Sequence, residues 1–327
     1  MAVNAATLET YDSVTIREDL SDAENMISPT ETPFISMIAG ENSATATKHE
    51  WPLVELQAVN NGNRVIEGDD APPVDTAVTA FRRWNFTQIS DKLISVSDTS
   101  QKVDGAANVE KLAKQISYKL KELKRDKETM LLDNVPGNPG ASGTARAAAG
   151  LPAFIITNYA TVGSGATAGA PGTLSDPPNG YPDAGATNAT TKGALTEDAL
   201  NLAIQQVWTQ GGDPRRVIVS PVNKRLISKT FTGNATKFKD ADEKKIITAV
   251  DVYESDFGQV QIVADRFSRP ADVLIIDPEF VKVSYLQKTR QLDVARTGHS
   301  EKKLIQCEYT LEVGNEKAMA LIADTLG

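Results

Sequence analysis

The feature that most constrains this chain is a helical pattern that runs without interruption from residue 107 to residue 133. Apolar residues recur there at steps of three and four, and neither proline nor glycine breaks the run. At about 1.5 Å per residue, such a helix is about 40 Å long. The apolar positions are Val109, Leu112, Ala113, Ile116, Leu120, Leu123, Met130 and Leu131.

The opposite face of this predicted helix is charged, with basic residues interleaved among acidic ones. Such interleaving is typical of a solvent-exposed face with salt bridges between neighbouring turns. The alternative is a mildly basic surface that faces nucleic acid. The charged positions are Lys111, Lys114, Lys119, Lys121, Lys124, Arg125 and Lys127, together with Glu110, Glu122, Asp126 and Glu128.

A long two-stranded ribbon precedes the helix. The segment His49–Leu56 predicts one strand, and Phe81–Ile89 predicts its partner, because Trp84 and Phe86 alternate with polar residues. Between the strands lies a polar tip rich in turn residues, which includes residues 67–73. A ribbon of this length has little core of its own. Its aromatic side chains therefore need cover, either from the body of the chain or from another subunit.

The segment upstream of the ribbon predicts an extended arm. Thr32 is a natural N-cap, and Pro33 suits the first position of a short helix on which Phe34, Met37 and Ile38 share one face. This short helix packs either on the core of its own chain or on a neighbouring subunit, and the sequence leaves both readings open.

The stretch 135–195 has a different composition, since it holds half of the 22 glycines and few charged residues. Such a stretch buries little apolar surface and loses much entropy when it becomes ordered. We therefore predict a long insertion or loop, with Leu151–Ile156 as one buried strand inside it.

A compact α/β unit and a strand-rich region follow. Thr196 and Ser220 are placed to cap two helices on either side of the buried strand Arg216–Val219. Alternating apolar residues over Ile305–Val313 predict an antiparallel sheet with one solvent-exposed face. The segment Glu316–Leu326 predicts a short closing helix.

The sequence contains little that could support catalysis or metal binding. Its two histidines, His49 and His299, and its single cysteine, Cys307, are too few for a zinc site. The triplet Asp256–Gly258 matches a kinase motif, but the rest of that signature is missing and a turn fits better. We predict no catalytic, cofactor-binding or metal-binding residues, and no cofactor.

Charge and hydropathy argue against two further classes of function. A formal net charge of -9 opposes strong binding to nucleic acid phosphates. The N-terminus has no signal peptide pattern, and no apolar run approaches the ~20 residues that span a bilayer. We therefore expect no contact with a membrane.

The order of these parts resembles a known fold. A polar arm, a two-stranded extension, a long helix, an α/β lobe with a loop-rich insertion and a strand-rich return follow one another, as in the Hong Kong 97 type major capsid proteins of tailed bacteriophages. The segments Asp22–Phe34 and Asn108–Asn134 look in particular like a phage major head protein subfamily of this fold.

The resemblance implies an α+β, Hong Kong 97-like capsid fold and a division of the chain. The parts would be an N-terminal arm at 1–48, an extended two-stranded E-loop at 49–106, the spine helix of the P-domain at 107–134, an A-domain with a Gly/Ala/Thr-rich insertion at 135–250, and a strand-rich return to the P-domain with a C-terminal helix at 251–327.

The same resemblance implies a structural protein and not an enzyme. Its subunits would self-assemble into hexamers and pentamers, which form the icosahedral head shell around double-stranded DNA. DNA contact would be non-specific, and cement, scaffolding and portal proteins would be further partners. The protein would be part of the virion and would assemble in the host cytoplasm.

Rings of five or six need head-to-tail interfaces between two different patches. Large aromatic side chains often anchor such interfaces. Four in the arm and ribbon are expected to be exposed and are candidates for intersubunit contact: Phe34, Trp51, Trp84 and Phe86.

Other readings stay open at this point. The shell of a bacterial encapsulated nanocompartment would share the fold and differ in its cargo. An α/β enzyme with a hidden site, or another virion part such as a tail or decoration protein, would differ in class.

Overall fold

Two clusters of buried apolar side chains organise the computed structural model of the chain. The structure describes residues 28, 30–38, 40–68, 70, 77–103, 111–231, 239–240, 245–246 and 251–326. Three sequence expectations lie partly outside these described residues: the arm before residue 28, the ribbon tip at 71–73, and the start of the long helix at 107–110.

The helices of the described chain differ widely in length. They are α1 (Pro33–Met37), α2 (Asp98–Lys102), α3 (Leu112–Leu132), α4 (Leu151–Phe154), α5 (Glu197–Thr209) and α6 (Pro221–Thr230). Proline stands in the first turn of α1, α4 and α6, where its missing N–H costs no hydrogen bond.

The strands form three larger sheets and one small pair. In chain order they are β1 (Glu41–Ser43), β2 (Lys48–Val54), β3 (Ala80–Phe86), β4 (Gln88–Ser97), β5 (Tyr159–Thr161), β6 (Thr173–Asp176), β7 (Asn179–Ala184), β8 (Arg216–Val219), β9 (Lys239–Asp240), β10 (Lys245–Ile246), β11 (Val252–Ser255), β12 (Gly258–Ala264), β13 (Val273–Ile276), β14 (Val281–Val294), β15 (Ser300–Val313) and β16 (Ala320–Ala323). The sheet orders are β1-β14-β15-β4, β11-β12-β8-β13-β16-β5 and β2-β3-β7-β6, and β9 pairs with β10.

The long helix α3 packs along β4 and β15 of the first sheet. Leu123 and Leu131 are buried there as predicted, but Ala113 and Leu120, which were assigned to the same apolar face, are exposed, so the face is confirmed only in part. Lys127 and Glu128 are buried as well, so their assignment to the solvent-exposed face was wrong. Their end of α3 is not open to water because the arm helix α1 docks on it, with Phe34 fully buried.

Strand β15 carries the alternation that the sequence predicts. Ile305, Cys307 and Tyr309 are buried on one face, beside β14 and β4. The opposite face was expected to be exposed to solvent, yet Glu308 and Thr310 are also buried. The base of the ribbon and the loop that follows α3 cover this part of the sheet, which the strand's own pattern could not reveal.

The second sheet forms the core of the α/β lobe. Helices α5 and α6 pack on it, and each has the cap that the sequence predicts. The Thr196 side chain accepts a hydrogen bond from the N–H of Ala199. The Ser220 side chain accepts one from the N–H of Asn223.

The C-terminal segment was predicted as a helix, and this was wrong. Residues Glu316–Ala318 form a single 3-10 turn, and β16 follows between β13 and β5 in the second sheet. All four residues of β16 are buried, so both of its faces are apolar. A short run of this kind shows no alternation, and periodicity alone cannot distinguish it from a helix.

The segment Leu151–Ile156 is buried as predicted but begins with a helix, α4, and not with a strand. Around it, the glycine-rich stretch forms β5, β6 and β7. Glycine is required where backbones touch: a Cβ at Gly150 would lie 1.9 Å from the Asp133 carbonyl oxygen, and one at Gly193 would lie 1.8 Å from that of Val162. These two glycines therefore allow close backbone packing, in a stretch that the sequence predicted to be a loop or insertion.

Within the described ranges, no helix combines the length and the apolar character that a membrane span requires.

Candidate assembly surface

The base of the ribbon is fastened to its own subunit by a buried amide. Asn85 lies in β3 and is fully buried. Its Nδ2 donates to the carbonyl oxygens of Ala149 (3.2 Å) and Leu311 (3.0 Å), and its Oδ1 accepts from the N–H of Ala149 (2.8 Å). One side chain thus joins the ribbon, the segment before α4 and strand β15.

Three of the four aromatic candidates are buried within the chain. Phe34 of the arm helix α1 is fully buried, and the Trp51 Nε1 donates to the Val313 carbonyl oxygen at 2.7 Å. The Phe86 ring meets Tyr181 edge-on, with 4.8 Å between centroids. The expectation that these three are exposed was therefore wrong. Alternation on a strand shows that side chains share a face, but it does not show what covers that face.

Trp84, the fourth candidate, is half-buried. Its ring lies beside Tyr181, and the Lys48 Nζ stands 3.9 Å from the ring centroid on the other strand. A direct intersubunit contact by Phe34, Trp51, Trp84 or Phe86 stays a prediction.

The outer end of the ribbon exposes a series of aliphatic side chains. Leu56 is 85 % exposed, Val59 97 % and Ile66 78 %. We call this set the ribbon patch; its members are Val54, Leu56, Val59, Val65, Ile66 and Val78. Sequence reasoning treated the tip as polar and missed these residues, although six aliphatic residues within 25 positions were the available signal. Clustered exposed apolar side chains mark an interaction surface.

Two carboxyl groups hold the N-terminal part of the chain on the body. At the first junction, the Glu128 Oε1 accepts from the Phe34 N–H at 2.6 Å and the Oε2 accepts from the Ile35 N–H at 2.9 Å. Glu128 is fully buried. Glu128, a residue of α3, thereby accepts the hydrogen bonds of the first N–H groups of α1.

At the second junction, Glu312 of β15 holds the chain between α1 and the ribbon. Its Oε2 accepts from the Asn42 Nδ2 (3.0 Å) and the Ser284 Oγ (2.9 Å), and the His49 Nε2 lies 3.1 Å away. The hydrogen bond with His49 is the main reason that the pKa of Glu312 falls to about 2. Strand β1 pairs in parallel with β14 beside it.

The charged face of α3 carries the salt bridges that the sequence predicts. The Lys119 Nζ lies 2.8 Å from the Glu122 Oε2, and the Lys92 Nζ of β4 lies 2.6 Å from the Asp126 Oδ2. These pairs support the reading of a solvent-exposed, ion-paired face. The alternative contact with DNA stays untested.

The few motifs that the sequence offers for metal binding or catalysis lie in the described part of the chain. No three or more His, Cys, Asp or Glu side chains there come close enough to hold a metal. Cys307 is fully buried, and burial raises the pKa of its thiol. The triplet Asp256–Gly258 forms the turn between β11 and β12, as predicted.

These features, an arm and a ribbon fastened to a spine helix and a long antiparallel sheet, are matched by a known family. The sequence profile described as SU10 major capsid protein covers residues 3–326. The chain belongs to the SU10 major capsid protein family. As a phage major capsid protein, it is a component of the virion capsid and builds a shell from repeated copies of itself.

The comparisons with individual proteins agree with this assignment. The major capsid protein of Escherichia phage Phieco32 is 25% identical over 360 residues, which span 99% of this chain and 98% of that protein. The structure titled Cyanophage A-1(L) capsid asymmetric unit has a TM-score of 0.66 at 12% identity, and covers 98% of this chain and 99% of that chain. The Hong Kong 97-like α+β fold is thereby confirmed.

The nanocompartment reading shares this fold. The holo-SrpI encapsulin complex from Synechococcus elongatus PCC 7942 has a TM-score of 0.57 at 10% identity, and covers 98% of this chain and 96% of that chain. Such a likeness shows the fold alone. Family membership decides between the two shells in favour of the phage capsid protein. The boundaries of arm, E-loop, spine helix, A-domain and return stay predictions.

Proposed function

We propose that this capsid protein assembles into hexamers and pentamers that close into an icosahedral head around double-stranded DNA, and that the ribbon patch makes the principal contact between neighbouring subunits. The observation that carries the proposal is the exposure of six aliphatic side chains at the outer end of a ribbon whose base is fixed to its own subunit.

The free energy gained by burying these side chains is large enough to drive association when several are covered together. Covering one Val, Leu or Ile stabilises by about 1.5–3 kcal/mol. Association costs about 4–15 kcal/mol in lost freedom of motion, so several ribbon side chains have to be covered together. In a closed shell each subunit makes this contact and receives it, and the contacts reinforce one another through multivalency.

The position of the ribbon patch is compatible with closed rings of subunits. The ribbon end is one surface, and the body that receives it on a neighbour is a different one, so the interface is head-to-tail and can close with five or six copies. This role is structural and not enzymatic. Assembly in the host cytoplasm, non-specific contact with DNA, and cement, scaffolding and portal proteins as partners belong to the same proposal.

The test is a triple substitution in the ribbon patch, Leu56→Ser with Val59→Ser and Ile66→Ser. Because all three side chains are exposed in the single subunit, the fold should remain intact while shell yield falls at least tenfold. Electron microscopy and sedimentation of the purified protein measure shells, rings and single subunits.

The matched control is Leu202→Ser on α5, an exposed leucine outside the ribbon. Its shell yield should equal that of the unchanged protein. Normal shells from the triple variant would refute the role of the ribbon patch.

A further inference from the structure

The loop of the ribbon carries an Asn–Gly pair between two members of the ribbon patch. Asn61 and Gly62 form an exposed turn, which lies between Val59 and Val65 in the sequence. The Asn61 side chain makes no hydrogen bond or ion pair with another described residue. The Gly62 N–H donates to the Oδ1 of Asn60 at 3.0 Å, and this contact is open to water. The Asn61 amide is therefore free to turn towards the backbone nitrogen of Gly62.

An asparagine that precedes a glycine is prone to deamidation, because glycine has no Cβ to obstruct ring closure. The Gly62 nitrogen loses its proton to solvent and forms a bond to the Asn61 Cγ. The bond from Cγ to Nδ2 breaks, and ammonia leaves. The resulting succinimide adds one water and opens to aspartate, or to isoaspartate, in which the main chain runs through the side-chain carbonyl. Overall one water is consumed and one ammonia is released, with no change of oxidation state.

The fold itself does not require a glycine at position 62. The backbone of Gly62 lies outside the left-handed region. Within 4 Å, a Cβ at Gly62 would meet only the Asn60 Oδ1, at 3.2 Å, and this is the end of an exposed side chain that can move. What the glycine contributes here is access to the Asn61 side chain.

The second Asn–Gly pair of the sequence, Asn179–Gly180, has the opposite surroundings. The Asn179 Oδ1 accepts from the Arg82 N–H at 2.9 Å, which holds the side chain in place. Gly180 is buried, and its φ of 104° lies in the left-handed region. A Cβ at Gly180 would lie 2.6 Å from the Ser175 Oγ, so the fold requires this glycine. The same dipeptide is thus held by packing at one site and unrestrained at the other.

We propose that Asn61 is a site of spontaneous deamidation in the unassembled subunit, and that a neighbouring subunit suppresses the reaction when it covers the ribbon. The second part rests on the proposed role of the ribbon patch. The reaction adds a negative charge between Val59 and Val65, and burying a charge against apolar surface is costly. Modified subunits therefore enter shells poorly, so the pair limits how long a free subunit stays competent for assembly.

Peptide mass spectrometry of the full-length, unassembled protein tests the site. After incubation in mildly alkaline buffer, the peptide with Asn61 should gain about one dalton and contain isoaspartate. The rate at Asn61 should exceed that at Asn179 at least tenfold. Equal rates at the two asparagines, or no gain at Asn61, would overturn the proposal.

Assembled shells, incubated in the same way, test the suppression. The rate at Asn61 should be at least tenfold lower in shells than in single subunits. An equal rate would overturn the suppression and count against cover of the ribbon patch, while the site itself would stand. Failure of the proposed ribbon contact is therefore distinguishable from failure of the deamidation site.

Two variants link the reaction to assembly. Gly62→Ala keeps the asparagine but obstructs ring closure, and Asn61→Gln removes the reactive side chain. Both should keep their shell yield after incubation, whereas the yield of the unchanged protein should fall in proportion to the fraction modified. The control Asn63→Gln leaves the pair intact and should lose yield as the unchanged protein does. If Gly62→Ala lost as much yield as the unchanged protein, deamidation at Asn61 would not be what limits assembly.

Discussion

The two junctions that hold the N-terminal part of the chain use the same residue type with opposite electrostatics. Glu128 at the α1 junction is fully buried, and its pKa is raised to about 8, mainly by burial. Glu312 at the β1 junction has a pKa lowered to about 2, mainly by its hydrogen bond with His49. A carboxyl group can therefore fasten the same arm in either protonation state.

The difference lies in the partners of each group. Glu312 has a ring nitrogen, an amide and a hydroxyl around it, and these favour the charged form. Glu128 is fully buried, and both its burial and the charge of Asp265 favour a retained proton, whereas the two backbone N–H groups of the arm favour the charged form. One end of the arm is thus held by a carboxyl group whose burial favours the protonated form, and the other by a carboxylate that acid neutralises.

The largest effect is expected from Glu128→Ala. The substitution leaves the N–H groups of Phe34 and Ile35 without their acceptor in a buried site. Each unpaired buried group costs about 1–3 kcal/mol, so the free energy of unfolding should fall by about 3–5 kcal/mol. Urea denaturation of the unassembled protein measures this change.

Glu122→Ala on the same helix is the control, because Glu122 forms a surface pair with Lys119. Such pairs contribute about 0–1 kcal/mol. If both alanine variants lowered the free energy of unfolding by the same small amount, Glu128 would not be what holds α1 on α3.

A smaller effect is expected from Glu312→Gln, with a distinct pH dependence. Because the pKa of Glu312 is lower in the folded chain than in the unfolded one, its carboxylate stabilises the fold above about pH 4.3. This stabilisation is lost as the pH falls towards about 2. The variant should lose about 1–3 kcal/mol at pH 7, and this loss should shrink to about half near pH 3, as measured by denaturation at both pH values.

The matched control is Glu301→Gln, which alters another glutamate of β15 that pairs only at the surface. It should change stability equally little at both pH values. A Glu312→Gln loss that persisted undiminished near pH 3 would contradict the assigned charge state.

Sequence periodicity predicted the long elements and failed on the junctions. The alternation of Ile305, Cys307 and Tyr309 identified β15, and the apolar steps of Leu123 and Leu131 identified α3, because these patterns repeat over several turns or pleats. Glu128 lies on the same helix and was taken as exposed. Its burial depends on an arm that is about 90 residues away in sequence, and helical periodicity contains no information on such a contact.

The candidate surface was predictable only in part. The ribbon was expected as a region short of core, and this holds for its outer end, where Leu56 and Val59 are exposed. The sequence left open whether the body of the chain or another subunit covers the aromatic residues at its base, and Trp51 and Phe86 find cover in their own chain. The alternation along a strand predicts which face a side chain lies on, but not which segment covers that face. Phe86 is covered by Tyr181, which comes from the glycine-rich stretch.

The smallest effect is expected at Thr32, where a substitution tests which residue caps α1. A threonine that caps a helix loses about 0.5–2 kcal/mol when its hydroxyl is removed. The Thr32 Oγ1 is buried and accepts no cap bond, so Thr32→Val keeps the shape and removes an unsatisfied polar group. We expect the free energy of unfolding to stay the same or to rise by up to about 1 kcal/mol.

The control is Thr196→Val at the cap of α5, which should lower the free energy of unfolding by about 1 kcal/mol in the same urea measurement. If Thr32→Val lost as much as Thr196→Val, the cap of α1 would be local, and the case for Glu128 as its acceptor would weaken.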